Sequence, residues 1–159
     1  MSNITNFTKI KIKMKSMEPK FMSRILKLKD KTRVKVRFND TDAMGIVHFK
    51  NYLVYFDDGF VSFMNHLLAP KRIEDTVHEG FVFGVKKVDI TYQGTVGFGD
   101  YVIVETKITE IGNSSVTFHH KIFRESDNKL VASINCKRLV MELRTNKLVK
   151  VNDFFNEYL

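Results

Sequence analysis

The sequence predicts an α+β fold: an antiparallel sheet of about five strands wrapped around one long apolar helix. Three observations carry this. One alternating run, 32–39, precedes a stretch of helical period, 51–68. Four alternating runs follow, at about 82–93, 100–111, 115–125 and 129–143. The helical stretch is rich in aromatics (Tyr52, Tyr55, Phe56, Phe60, Phe63), which suits a helix enclosed by a sheet rather than one lying on a surface. Two joints between the later runs, Gly112-Asn113 and Asp127-Asn128, are hairpin turns.

In chain order, Val34, Val36 and Phe38 share one face of the first strand. Residues 40–48 begin with turn formers and form a loop. In the helix, Leu53, Phe56, Phe60, Met64 and Leu67 recur at three and four. Asn51 reads as its N-cap and Pro70 as its stop. Gly59 sits mid-helix at a propensity cost of about 1 kcal/mol; close approach of another backbone would explain it. A loop over 70–80 then leads into a four-strand meander.

The 159 residues are 43% apolar and 28% charged, enough for one domain with a real core. One cysteine excludes a disulfide framework and makes a cytoplasmic setting the default. No apolar run approaches the roughly 18–20 residues of a membrane span, and no secretory signal is read. The net charge is +8, but residues 1–31 hold nine Lys/Arg against Glu18 and Asp30, a local +7, which leaves +1 for the rest. The domain is therefore nearly neutral, and no nucleic-acid partner is expected.

Residues 1–31 read as a basic leader, flexible or a start-site artefact, with Met14, Met17 and Met22 as alternative starts. Ile10, Ile12 and Met14 alternate with lysines, so a short strand is open, as are a targeting or anion-binding role. Residues 32–159 form the domain.

The chemistry concentrates in residues 38–52. Asp40 and Asp42 lie two apart in a loop that feeds a helix, and Gly45 lets the chain bend sharply. The free amides near 48–51, at the helix start, stabilise negative charge on an oxygen. A carboxylate facing such amides is a minimum kit for acyl transfer. Asp40 and Asp42 read equally as Asx-turn and capping residues.

The same segment resembles the 4-hydroxybenzoyl-CoA thioesterase family of hotdog-fold acyl-CoA thioesterases. Its pattern D-x-D-x-x-G-x-V-x-x-x-x-Y is met by Asp40, Asp42, Gly45, Val47 and Tyr52. Tyr92 with Gly99-Asp100 resembles the family's later Y-x-x-P-x-x-x-G-D turn, and Leu148–Val151 with a short amphipathic tail resembles its C-terminal end. The resemblance implies that Asp42 is the catalytic aspartate, as nucleophile or as base for water. It implies that the Phe49 amide polarises the thioester carbonyl and that Asp40 braces the loop. Gly45, Val47, His48 and Tyr52 are implied as substrate-binding.

Three departures stand out. His48-Phe49 holds the place of a Tyr-His pair common in bacterial relatives, Thr95 replaces a proline, and Gly112–Ser115 carries no charge where 4-hydroxybenzoyl-CoA thioesterase has a phosphate-gripping basic cluster. Lys121, Arg124 and Arg138 are the remaining candidates for CoA phosphates.

Asp57 and Asp58, inside the helix, are the runner-up catalysts. His119 and His120 are strand neighbours on opposite faces and make no paired metal site. His66 and His78 have no partner at ligand spacing, and Cys136 reads as a small buried hydrophobe. No metal motif, phosphate loop or serine elbow is present. The reading is an acyl-CoA thioesterase without metal or cofactor, forming a homodimer or homotetramer by edge-to-edge sheet pairing. A hotdog acyl-thioester hydratase or dehydratase, and a non-catalytic acyl-CoA-binding regulatory module, are the alternatives.

Overall fold

In the computed structural model, which describes residues 19–159, a six-stranded antiparallel sheet curls around α2 (Tyr52–Leu68). The sheet comprises β1 (Asp30–Lys35), β2 (Phe81–Tyr92), β3 (Tyr101–Ile111), β4 (Ser115–Arg124), β5 (Lys129–Glu142) and the two-residue β6 (Lys147–Leu148). Helices α1 (Pro19–Lys27), α3 (Ile73–His78) and α4 (Val151–Tyr158) complete the described elements, with 3-10 turns at Phe38–Asp40 and Phe49–Asn51. The alternating segment at Ile10–Met14, and the starts at Met14 and Met17, lie outside the described residues.

The predicted fold class stands, but the meander is shorter than expected. The strand order is β1-β3-β4-β5-β2, with β6 beside β5. Of the four strands expected in the meander, β3, β4 and β5 follow one another, whereas β2 pairs with β5 from Phe81↔Glu142 to Tyr92↔Ala132. The reason is the link 93–100, longer than the two to five residues of a hairpin. It returns the chain to β3, whose other neighbour is β1.

The inner faces of the strands and the faces of α2 fill two clusters. One joins Phe63, Met64 and Leu67 to Phe118 and Val140; the other joins Tyr52, Tyr55 and Phe56 to Val102, Ile122 and Ile134. Gly59 explains itself here, though not by backbone approach. A Cβ on it would lie 2.6 Å from Val104 Cγ1 and 2.7 Å from Thr106 Oγ1, so side chains of β3 occupy the space.

Several boundaries differ from the sequence reading. Residues 19–31, grouped with the leader by charge, pack onto the domain: α1 buries Ile25 completely in the cluster that also holds Phe63 and Leu67, and β1 begins at Asp30. Phe38 does not share the inner face with Val34 and Val36. The Arg37 amide donates to Asp40 Oδ2 at 2.9 Å, closing a turn that leaves Phe38 77% exposed. Asn51 makes no side-chain cap, because the 3-10 turn has already begun at Phe49 and His48 caps it instead. The expected loop 70–80 contains α3, whose start is closed by the Arg72 amide donating to Asp75 Oδ2 at 2.8 Å. No described helix is long and apolar enough to cross a membrane.

Candidate active site

The loop between β1 and α2 is built by its own polar groups. The Asp42 amide donates to the Ile46 carbonyl at 2.9 Å, and the Gly45 amide to the Asp42 carbonyl at 3.0 Å. Gly45 turns the chain at φ +76°, where a side chain would be strained. Two bridges, Thr41↔Val47 and Ile46↔Gly97, hold the loop to itself and to the link before β3. Asp42 fulfils the turn reading in part: its Oδ1 accepts from the Met44 amide at 2.8 Å. The carboxylate keeps a second oxygen.

Asp40 is the brace. Its side chain is buried, and its carboxylate accepts from the Arg37 amide and guanidinium and from the Tyr55 hydroxyl. Burial opposes its ionisation, but these donors outweigh burial and hold its carboxyl below the usual carboxylate range. The Asp40 carbonyl takes the His48 amide at 2.9 Å and Asn51 Nδ2 at 2.7 Å. The turn that opens α2 is thus suspended from Asp40.

That turn presents amides. Phe49 is its first residue, where a helical amide has no acceptor within the helix. His48 Nδ1 accepts from the Lys50 amide at 3.3 Å, which makes this ring nitrogen the unprotonated one. His48 therefore acts here as a cap, with its ring 4.5 Å from that of Phe49.

Asp42, Val47, Phe49 and Tyr52 line one open cleft of about 270 Å³, together with Tyr92 and Thr95. Of the residues singled out in the sequence, Gly45 and His48 shape this cleft without lining it. Gly94 and Thr95 also line the cleft and were not singled out for the site. Arg124 Nη1 donates to the Thr95 carbonyl at 2.7 Å, and its other nitrogens fork onto Asp127, whose carboxyl this holds down at about 2. That engagement accounts for one candidate phosphate ligand.

Arg138 accounts for another. It lies in the core, 4.0 Å from the Phe60 ring centre, with Nη2 donating to Asp57 Oδ1 at 2.5 Å. Lys121 sits on the outer face opposite Glu105 and Ser133. The helix carboxylates face elsewhere: Asp57 is taken by Arg138, and Asp58 lines a groove beside β1. His119 bonds Asn135 on the outer face and His120 is buried against Thr106, on opposite faces as expected. Cys136 is fully buried, and burial pushes its thiol up. Among the described residues no cluster of three or more His, Cys, Asp or Glu is placed to hold a metal ion.

A profile of the thioesterase-like superfamily matches residues 36–159. The chain belongs to that family. It is similar to an acyl-CoA thioesterase, YbgC, of Haemophilus influenzae, 26% identical over 95 residues, which cover 58% of this chain and 68% of that one. Among solved structures it resembles a DHNA-CoA thioesterase from Staphylococcus aureus, with a TM-score of 0.75 at 18% identity, covering 82% of this chain and 85% of that one. It also resembles 4-hydroxybenzoyl CoA thioesterase from Pseudomonas sp. strain CBS-3, with a TM-score of 0.72 at 20% identity, covering 82% and 99%. At such identities these two structures speak for the fold. The reading as a hotdog thioester hydrolase agrees with the family.

Proposed function

We propose that this chain hydrolyses acyl-CoA thioesters to a carboxylic acid and CoA. The observation that carries the reading is the shared cleft. Asp42, from the loop, and Phe49, at the amide-rich start of α2, line the same walls. The thioester carbonyl would lie against the Phe49 amide, which stabilises the negative charge developing on its oxygen. Asp42 would either attack the carbonyl carbon and expel the CoA thiolate, leaving an acyl-aspartyl anhydride that water then hydrolyses to the acid, or take a proton from a water that attacks the carbonyl, the thiolate leaving and being protonated. These residues need no metal or redox cofactor for that chemistry.

The acyl group would run along β2. The inner side of β2 carries Val88, Ile90 and Tyr92, in register with Cys136, Ile134 and Ala132. Val88 and Ile90 are only partly buried and Tyr92 is 44% exposed, so this apolar strip runs out from under α2. Among the described residues, β2 is also an edge strand of 12 residues, paired with β5 alone. A second copy pairing there would cover the strip, which supports a homodimer or a dimer of dimers. The single cysteine, buried in the core, fits a cytoplasmic setting.

The alternatives have less support. A hydratase or dehydratase pairs a histidine with a carboxylate, whereas His48 spends Nδ1 on the Lys50 amide. A binding-only module has no use for Asp42 in the cleft. The test is release of free CoA thiol from a panel of aliphatic and aromatic acyl-CoA thioesters. Turnover of at least one thioester supports the reading. Binding without turnover across the panel would favour the regulatory module.

A further inference from the structure

Tyr92 ends β2 and lines the same cleft as Asp42 and Phe49. Its hydroxyl donates to the Phe49 carbonyl at 2.9 Å, across 43 residues of sequence. Its ring rests edge-on against Tyr52, 5.4 Å between centres, so the hydroxyl is aimed by packing. The Phe49 side chain cannot anchor its own backbone, being 64% exposed. Among the described residues, the other ties of this turn come from the loop and the helix start: the Asp40 carbonyl holds the His48 amide and Asn51, His48 holds the Lys50 amide, and the Tyr52 amide donates to the Lys50 carbonyl. Tyr92 adds the tie from the sheet.

We infer that Tyr92 is a positioning residue, whose hydroxyl fixes the Phe49 peptide so that the neighbouring amide stays aimed into the cleft. This rests on the thioesterase reading. A carbonyl-polarising amide works because it is already oriented when charge develops, and small misplacement is costly. Fixing the Phe49 carbonyl limits rotation about that residue, and with it the direction of its N–H. The tie is needed only to the extent that charge on the substrate oxygen grows, so its loss falls on the chemical step rather than on binding.

The test is Tyr92→Phe, which keeps the ring against Tyr52 and deletes the hydroxyl. Two readouts are taken. The first is steady-state hydrolysis of the best thioester from the panel. The expected result is a kcat lower by about 3- to 10-fold, with KM within about twofold of the unmodified protein. An unchanged kcat, or a raised KM at unchanged kcat, would overturn the role, the second by making the hydroxyl a substrate contact. The second readout is the backbone amide resonance of Phe49 in the free protein, with its hydrogen exchange. A shifted resonance and faster exchange in Tyr92→Phe support the pin, and an unchanged amide overturns it. If the unmodified protein hydrolyses nothing, the thioesterase reading falls, while the amide readout still decides whether Tyr92 holds the turn.

Discussion

The Tyr55 hydroxyl donates to Asp40 Oδ2 at 3.0 Å, joining the first turns of α2 to the loop that carries Asp42. Both side chains are buried, so neither has water as a substitute partner. A hydrogen bond to a buried carboxylate contributes about 1.5–3 kcal/mol. Tyr55→Phe should destabilise the fold by roughly that amount in urea unfolding, and should slow hydrolysis because the loop loosens.

The pH dependence of the same brace has a defined sign. The folded carboxyl of Asp40 lies below its unfolded value, so its contribution is present above about pH 4 and lost as pH falls through the folded value. The stability gap between the unmodified protein and Asp40→Asn should therefore be widest near neutral pH and narrow in acid. A gap that widened in acid would contradict the brace.

Gly59→Ala sets two magnitudes against each other. The alanine gains about 1 kcal/mol of helix propensity. Its Cβ would meet Val104 Cγ1 at 2.6 Å and Thr106 Oγ1 at 2.7 Å, on buried residues of β3 with no room to retreat. Overpacking of this kind costs about 1–3 kcal/mol. The expected outcome is a lower thermal midpoint, whereas a raised one would show that β3 yields easily.

His120 gives a second pH signal. Burial, and then the positive charge of Arg138, push its imidazole down to about 3, so the folded protein keeps it neutral. In the unfolded chain it takes a proton below about pH 6.5, so stability falls as pH drops from 6.5 toward 3. Between about pH 6.5 and 5 the unmodified protein should lose about 1–2 kcal/mol more than His120→Gln does. Equal losses in the two proteins would show that His120 does not carry this dependence.

Much of this architecture was legible as pattern. Period-two runs and period-three-and-four spacing mark β3, β4, β5 and α2 because each buries one face repeatedly. The placement of β2 was not legible, because strand order depends on which edges meet in space and residues 93–100 carry no mark of their path. Helix α1 was hidden by the charge count of residues 1–31, although Phe21, Met22 and Ile25 recur at helical spacing and pack against the core. Asp42, Val47, Phe49 and Tyr52, which line one cleft, stand together in the sequence on one continuous stretch, 42–52. The wall at Gly94-Thr95 was missed as a site element because Arg124, its clamp, lies 29 residues away. The role of His48 likewise needed coordinates, since a cap is visible only as an Nδ1 facing an amide.

On the proposed reading, Asp42 does the chemistry. Asp42→Asn keeps the shape of the side chain, and its carbonyl oxygen still accepts from the Met44 amide, but charge and nucleophilicity are gone. Single-turnover hydrolysis of one good acyl-CoA, with binding measured separately, should be compared for the Asn variants of Asp42, Asp57 and Asp58. The expected result is a fall of at least about 10²–10⁴-fold for Asp42→Asn, with binding retained. Asp57→Asn and Asp58→Asn should stay much closer to the unmodified rate. Near-normal turnover by Asp42→Asn, with collapse at Asp57 or Asp58, would contradict the account and move the site onto α2.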